Sequence, residues 1–104
     1  MSAPYDLYVE PALYKAQKKL PGSLRSQLKY IIANLAYEPR PHNSRVLNVD
    51  GLDVPEDVEL RRIRIRNRRL IYAIDESEKW VRVWGIRRRP PYDYEDLSEL
   101  VKLL

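Results

Sequence analysis

Hydrophobic residues along the chain change their spacing three times, and each spacing predicts a different element of structure. Tyr5 to Glu10 alternates apolar and polar residues, as a short strand does. From Pro11 onwards the apolar residues recur every three or four positions, which predicts two helices separated by Pro21-Gly22. Ser23 is expected to cap the second helix. The apolar faces of the two helices are formed by Leu13, Ala16 and Leu20 and by Leu24, Leu28, Ile31 and Leu35.

Alternation returns in the second half of the chain and predicts an antiparallel meander of three strands. These strands run from Leu60 to Arg66, from Arg69 to Asp75 and from Trp80 to Ile86. The first turn is expected at Asn67-Arg68, because asparagine tolerates the positive φ that a tight hairpin requires. A basic triplet, Arg87 to Arg89, is then expected to leave the sheet.

The residues after the meander predict a final helix. Pro90-Pro91 prevents further strand pairing, and Asp93 can cap a helix. Residues 1–104 are therefore expected to form a single α+β domain with an N-terminal strand, a helical hairpin, a three-stranded antiparallel meander and a C-terminal helix. The helices are expected on one face of the sheet and the arginines on the other. The apolar positions of the last helix are Leu97, Leu100, Val101 and Leu104.

The segment from Arg40 to Val58 follows neither period. Val46-Leu47 is expected either to pack on the core or to begin a short extended piece. Five acids and no bases lie between Asp50 and Glu59. A long ordered loop is often functional, and these acids are also suited to cover part of a basic sheet. The sequence leaves both roles open.

Charge is distributed unevenly along the 104 residues, whose formal net charge is +4. The segment from Arg61 to Arg89 contains ten arginines and one lysine against three acids, a net charge of +8. Arginine presents a planar fork of donors that matches phosphate oxygens, and strand alternation places several of these arginines on one face. Such a patch attracts polyanions by Coulomb steering and counterion release. The pattern favours a nucleic-acid-binding domain over a merely solvated basic surface.

Composition excludes several kinds of chemistry. The chain has no cysteine and a single histidine, His42, which rules out disulfides, cysteine nucleophiles and zinc sites made of cysteine or paired histidines. The three glycines do not form a phosphate-binding loop. Met1 to Leu20 contains no apolar run, and no segment is apolar for long enough to span a membrane. A cytoplasmic protein without a metal or cofactor is therefore expected.

Arginines on a rigid sheet suffice for one reaction on RNA. The 2′-hydroxyl beside a phosphodiester is an internal nucleophile, so the strand can be cleaved without a metal once that hydroxyl is held in line. The protein then has to orient the strand and stabilise the additional charge on the phosphate. An aromatic residue such as Tyr92 can stack on a base. Simple RNA binding would use the same residues, and composition does not separate the two.

Two segments of the chain resemble the RelE family of toxin ribonucleases. Residues 60–76, LRRIRIRNRRLIYAIDE, are similar to the family's two strands of alternating basic and apolar residues. Residues 84–89, WGIRRR, followed by Tyr92, match its strand ending in glycine, its basic triplet and its tyrosine. Tyr8-Val9-Glu10, Lys19-Leu20-Pro21 and the segment from Leu35 to Pro41 are also similar to the family, so the resemblance covers almost the whole chain.

The resemblance implies a toxin of a type II toxin–antitoxin pair. Such a toxin enters the ribosomal A site, cleaves messenger RNA there without a metal, and is neutralised by an antitoxin protein. The implied catalytic residues are Arg62, Arg64, Arg69, Arg87 and Tyr92, with Arg87 in the position of a general acid. The neighbouring candidates for RNA binding are Arg61, Arg66, Arg68, Arg88 and Arg89.

The chain departs from the RelE pattern at the turn Arg66-Asn67-Arg68, where the family has Gly-Asp-Tyr, and at Ile86, where it has histidine. Arg62 and Arg64 also stand where RelE has lysines, the second of them a candidate base. An arginine whose pKa is about 12 or above does not act readily as a base, so electrostatic stabilisation is the role assigned to Arg64. The alternative functions are a ParE-like gyrase inhibitor of the same fold and a non-catalytic RNA-binding domain. In the last case Arg62, Arg64 and Arg69 could pair with the acids of residues 50–59 or with Asp75.

Overall fold

A computed structural model describes residues 3–88 and 101–102, which form a five-stranded sheet with two helices. The sheet has the order β1-β5-β4-β3-β2, in which β1 pairs parallel with β5 and the other neighbours are antiparallel. The predicted α+β class with a three-stranded meander is confirmed. In chain order the elements are β1 (Asp6–Val9), α1 (Pro11–Gln17), α2 (Gly22–Leu35), β2 (Ser44–Val46), β3 (Val58–Ile65), β4 (Arg68–Asp75) and β5 (Trp80–Arg88).

The two helices begin and end at turns that proline and glycine define. Pro11 opens α1, where its missing N–H is not needed. The second helix already begins at Gly22, with Pro21 as its N-cap and no side-chain capping bond, so the expected cap at Ser23 is wrong. Its buried positions are shifted by one residue in the third turn, where Ile32 is buried and Ile31 packs at the edge of the core. Neither helix in the described part of the chain is long and apolar enough to cross a membrane.

The main core lies between the helices and one face of the sheet. Tyr72 is fully buried in it, and its hydroxyl donates a hydrogen bond to the carbonyl of Pro39 (2.7 Å). Burial raises the pKa of Tyr72. This bond fixes the chain after α2 against the middle of the sheet. The helices and strands contribute Leu13, Leu20, Leu24, Leu28, Ile32, Leu35, Ile63, Ile65, Leu70, Ile74, Val81 and Val83 to the core.

The opposite face of the sheet carries a second apolar cluster beside the arginines that were expected there. Leu60, Ile71 and Ala73 lie on the sheet, and Leu47 covers them together with the loop that follows it. The loop contributes Val49, Leu52 and Val54, and Val101 packs there from the chain's other end. Of the two expectations for Val46-Leu47, packing on the core holds for Leu47, which is buried. The extended piece is β2, which ends at Val46 instead of beginning there. The loop thus covers the sheet with apolar side chains.

The turn between β3 and β4 lies one residue earlier than expected. Ile65 pairs with Arg68, so the two-residue loop is Arg66-Asn67, and Arg66 rather than the asparagine has the positive φ, 57°. A non-glycine residue seldom adopts this conformation. The side chain of Arg66 donates a hydrogen bond to the hydroxyl of Ser23 (3.3 Å), which ties the turn to the start of α2.

A bulge in β5 decides which side chains the end of that strand presents to each face. Tyr72 pairs with Val83 and Ile71 with Gly85, so Trp84 is an additional residue in β5. After the bulge the alternation restarts with the opposite phase, which turns Ile86 towards the main core and Arg87 away from it. The strand also continues to Arg88, so the expectation that the basic triplet leaves the sheet is wrong for its first two residues.

Candidate nucleic-acid interface

Three arginines lie directly opposite one another across three strands on the sheet face that is turned away from the helices. Arg64 of β3 pairs with Arg69 of β4, which pairs with Arg87 of β5. We call these three residues the arginine row. Arg62 lies on the same face of β3, opposite Arg45 of β2. Like charges directly opposite each other destabilise a sheet, so this arrangement has a cost that binding of an anion would offset.

Arg69, the middle member of the row, is the most buried of the three, with only 9% of its surface exposed. Its Nη1 donates to the carbonyl of Arg68 (3.0 Å), but its buried Nε has no hydrogen-bond partner among the described residues. The buried Nε of Arg68 also has no hydrogen-bond partner among the described residues. A buried donor without an acceptor costs about 1–3 kcal/mol. The sheet therefore holds cationic donors that a phosphate oxygen could satisfy.

Arg87 is held in place by the three residues that precede it on the bulged strand. Its guanidinium lies 4.4 Å from the ring centroid of Trp84, a cation–π contact, and its Nη1 donates to the carbonyl of Ile86 (3.1 Å). Gly85 provides the space, since a Cβ there would lie 3.2 Å from Nη1 of Arg87. Trp84 and Gly85 thus orient this arginine beside Arg69.

The ion pairs of the described residues lie away from Arg62, Arg64 and Arg69. Ion pairs among the described residues involve Arg40, Arg61, Lys79 and Arg82, and none includes Arg62, Arg64 or Arg69. Asp75 instead accepts hydrogen bonds from the hydroxyl of Ser77 and the backbone of Glu78. The alternative in which the arginines pair with residues 50–59 or with Asp75 is therefore not found in the described part of the chain.

A separate charged network fastens Arg40 to the ends of β3 and β4. Arg40 contacts Glu59 (2.8 Å) and Glu76 (2.7 Å), and Glu76 also accepts bonds from Tyr5 and Lys79. The bonds from Lys79, Tyr5 and Arg40 lower the pKa of Glu76 to about 2. Burial opposes the charge of Arg40, but its bonds to Glu76 and Glu59 outweigh that effect and raise its pKa. This network stabilises the fold. Neither of its glutamates pairs with Arg64 or Arg69.

The remaining predicted residues are dispersed. Arg61 faces the helix side and donates to Ser44 (3.0 Å) and Glu59 (3.2 Å), which is a structural role. Arg66 lies in the turn, and Arg68 pairs with Arg88 at the end of the β4–β5 ladder. Arg89 and Tyr92 lie outside the described residues, as do Pro90-Pro91, Asp93 and the predicted final helix apart from Val101 and Lys102.

Glu10 is a residue at the site that the sequence did not indicate. It lines a cleft of about 290 Å³ together with Trp84, Gly85 and Arg87, and its carboxylate lies 3.7 Å from Arg82. The parallel pairing of β1 with β5 brings it there, and alternation within one strand does not reveal such a pairing. Among the described residues no three acidic or histidine side chains are grouped as metal ligands.

Solved structures identify the architecture. No protein-family model matches the chain, and no curated protein matches it. The toxin of the archaeal RelE–RelB complex from Pyrococcus horikoshii superposes with a TM-score of 0.72 at 22% identity, over 86% of this chain and 99% of that one. The chain has the RelE fold. An E. coli RelE variant with two arginines replaced by alanine, in the free state, gives a TM-score of 0.60 at 25% identity over 100% of this chain and 99% of that one. The Mycobacterium tuberculosis RelBE2 complex superposes with a TM-score of 0.62 at 20% identity, over 83% of this chain and 99% of that one. The resemblance to RelE toxins that the sequence predicts is confirmed.

Proposed function

We propose that this protein is the toxin of a toxin–antitoxin pair and that it cleaves messenger RNA in the ribosomal A site. The observation that carries the proposal is the arginine row. Three cations stand opposite one another on a rigid sheet, and one of them is buried with an unsatisfied donor. Stability alone does not favour such an arrangement, whereas binding of a phosphodiester does.

The reaction we propose uses the RNA's own nucleophile. The 2′-oxygen forms a bond to the adjacent phosphorus while the bond from phosphorus to the 5′-oxygen breaks. The 2′-hydroxyl loses its proton, the 5′-oxygen gains one, and the products are a 2′,3′-cyclic phosphate and a 5′-hydroxyl. Negative charge grows on the phosphate oxygens in the transition state, where preorganised donors have their largest effect.

The arginines have distinct roles in this scheme. Arg64 and Arg69 stabilise the charge on the phosphate, and Arg62 binds the strand beside them. Arg87 lies at the end of the row beside Trp84, and we assign it to protonating or stabilising the leaving 5′-oxygen. Tyr92 is assigned to stacking on a base. An arginine is a poor base, so the proton of the 2′-hydroxyl needs a different acceptor.

Glu10 is our candidate for that acceptor, because its carboxylate lines the same cleft as Arg87. We expect Glu10→Gln to lower the single-turnover cleavage rate by about 10²-fold or more while RNA binding is unchanged. The matched control is Arg82→Gln, which breaks the same ion pair but keeps the carboxylate. Cleavage by ribosome-bound enzyme, followed by quenched flow, separates the two. Equal losses in both variants would assign Glu10 a structural role only.

An antitoxin is the second partner we propose. Solved relatives of the same fold are complexes of RelE with RelB, from Pyrococcus horikoshii and Mycobacterium tuberculosis among others. Arg64 and Arg69 take part in no ion pair among the described residues, so an acidic segment of another protein would be complementary to them. Such a segment would compete with RNA for the same donors.

The proposed function is tested by translation in a purified cell-free system, with primer extension on the messenger. We expect cuts within codons at the A site when ribosomes are present, and none on the same messenger without ribosomes. Growth arrest in cells combined with uncut messenger would contradict the proposal and favour gyrase inhibition, which a DNA supercoiling assay would reveal. Binding of RNA without cuts or arrest would favour a non-catalytic RNA-binding domain.

A further inference from the structure

A continuous channel runs between α1 and the end of β5. Strand β1 pairs with β5 only as far as Val83, whose carbonyl accepts a hydrogen bond from the backbone of Glu10 (3.0 Å). Beyond Val83 the chain turns into α1, which lies along the remaining edge of β5. The edge of the last residues of β5 therefore faces a helix instead of another strand. The space between this edge and the helix is therefore an open groove.

Two adjoining clefts make up this channel. The first, of about 290 Å³, begins at Arg87 and Trp84, and the second, of about 490 Å³, continues from it. They share Ala12, Ala16 and Ile86, so a single floor joins them. Because Arg87 and Ile86 face opposite sides of the sheet, the channel leads from the arginine row around the edge of β5 to the helix side.

Among the described residues, those that line the far cleft include four cations and no acid. Lys15 lies in the last turn of α1 and Lys19 in the turn that follows this helix, while Arg68 and Arg88 pair across the β4–β5 ladder. None of the four takes part in an ion pair within residues 3–88 and 101–102. Arg68 also contributes a buried Nε without a partner among those residues. Cations gathered without counter-charges predict a polyanion ligand.

We infer that this channel, which we call the α1–β5 channel, binds the RNA strand where it leaves the arginine row. Lys15, Lys19, Arg68 and Arg88 bind one or two further phosphates, without contacting the bases. The small residues Ala12 and Ala16 leave room on the helix for a sugar–phosphate backbone. The inference rests on the proposed function for the direction of the strand, and it adds a second phosphate-binding site to which α1 contributes.

The test is binding of RNA in which every 2′-hydroxyl is methylated, so that no cleavage occurs. Fluorescence anisotropy is measured with a 12-nucleotide strand and with a 3-nucleotide strand that is too short to reach beyond the row. For Lys15→Ala with Lys19→Ala we expect roughly tenfold weaker binding of the long strand. The slope of log K against log salt should flatten by about 1.4, which is two single-strand phosphate contacts. Binding of the short strand should not change.

The matched control is Lys18→Ala with Lys29→Ala, which removes the same charge from lysines that line a different groove. Equal behaviour of the two double variants would overturn the inference, and so would an equal loss of binding for both strand lengths. Weaker binding of an RNA hairpin duplex with unchanged binding of the single strand would also overturn it. Cleavage by the wild type on ribosomes is measured in parallel. This measurement distinguishes a wrong inference about the channel from a wrong proposal of nuclease activity.

Discussion

Replacing Arg69 and Arg87 together with alanine should abolish messenger cleavage. In the proposed reaction each arginine stabilises charge that develops only in the transition state, and removal of one such donor costs about 10²–10³ in rate. Cleavage by the double variant should therefore be undetectable by primer extension, while each single variant retains measurable activity. Binding to ribosomes should persist, because most of the basic surface is unchanged.

The control for this experiment is Arg25→Ala with Lys29→Ala, which removes two positive charges from the groove on the helix side. It should cleave like the wild type. Cuts at the wild-type rate in the Arg69 and Arg87 double variant would contradict the assignment of the row as the catalytic site. A loss of cleavage in the control of the same size would instead show that total charge, rather than the row, determines activity.

Replacing Arg69 with methionine should make the protein more stable while it abolishes the proposed cleavage of messenger RNA. The substitution removes a buried cation that faces cations on both neighbouring strands and deletes a buried donor without a partner. Methionine retains much of the side chain's length and apolar surface. We expect the free energy of unfolding to rise by about 1 kcal/mol or more, which corresponds to a rise in Tm of about 4–8 °C per kcal/mol in a chain of this size.

Thermal unfolding followed by circular dichroism measures this effect. The matched variant is Arg25→Met, which removes a half-buried arginine that has no cation opposite it on a sheet, and its free energy of unfolding should change by less than about 0.5 kcal/mol. A lower Tm for Arg69→Met than for the wild type would show that the row stabilises the fold. A higher Tm would also establish that a loss of activity in Arg69→Met is not caused by unfolding.

The faces of the meander strands were predictable, but their partners were not. Alternation alone places Ile63 with the core and Arg62 and Arg64 opposite to it, and the structure agrees. The expected turn at Asn67-Arg68 would pair Arg66 with Arg69, two positions away from the observed pairing of Arg64 with Arg69. A shift of two residues preserves the face and changes every neighbour. The row itself therefore could not be derived without the position of the turn.

Non-local features account for the rest of what the sequence did not reveal. Leu47, Val49 and Leu52 pack on the second sheet face, yet they lie in a segment with no regular period. Glu10, Lys15 and Lys19 are brought beside the end of β5 because β1 pairs with β5. Such pairing is decided by the packing of the whole domain, which local spacing does not encode.

The bulge at Trp84 makes the end of β5 sensitive to its length. Loss of Trp84 alone would remove the bulge but leave Gly85 opposite Ile71 and Arg87 opposite Arg69, so that the arginine would stay in the row without the ring beside it. Loss of a second residue before Arg87 would turn the arginine towards the packed interior. Homologous chains that keep the row should therefore have either three or two residues between the positions of Val83 and Arg87, a constraint on gene length rather than on residue type.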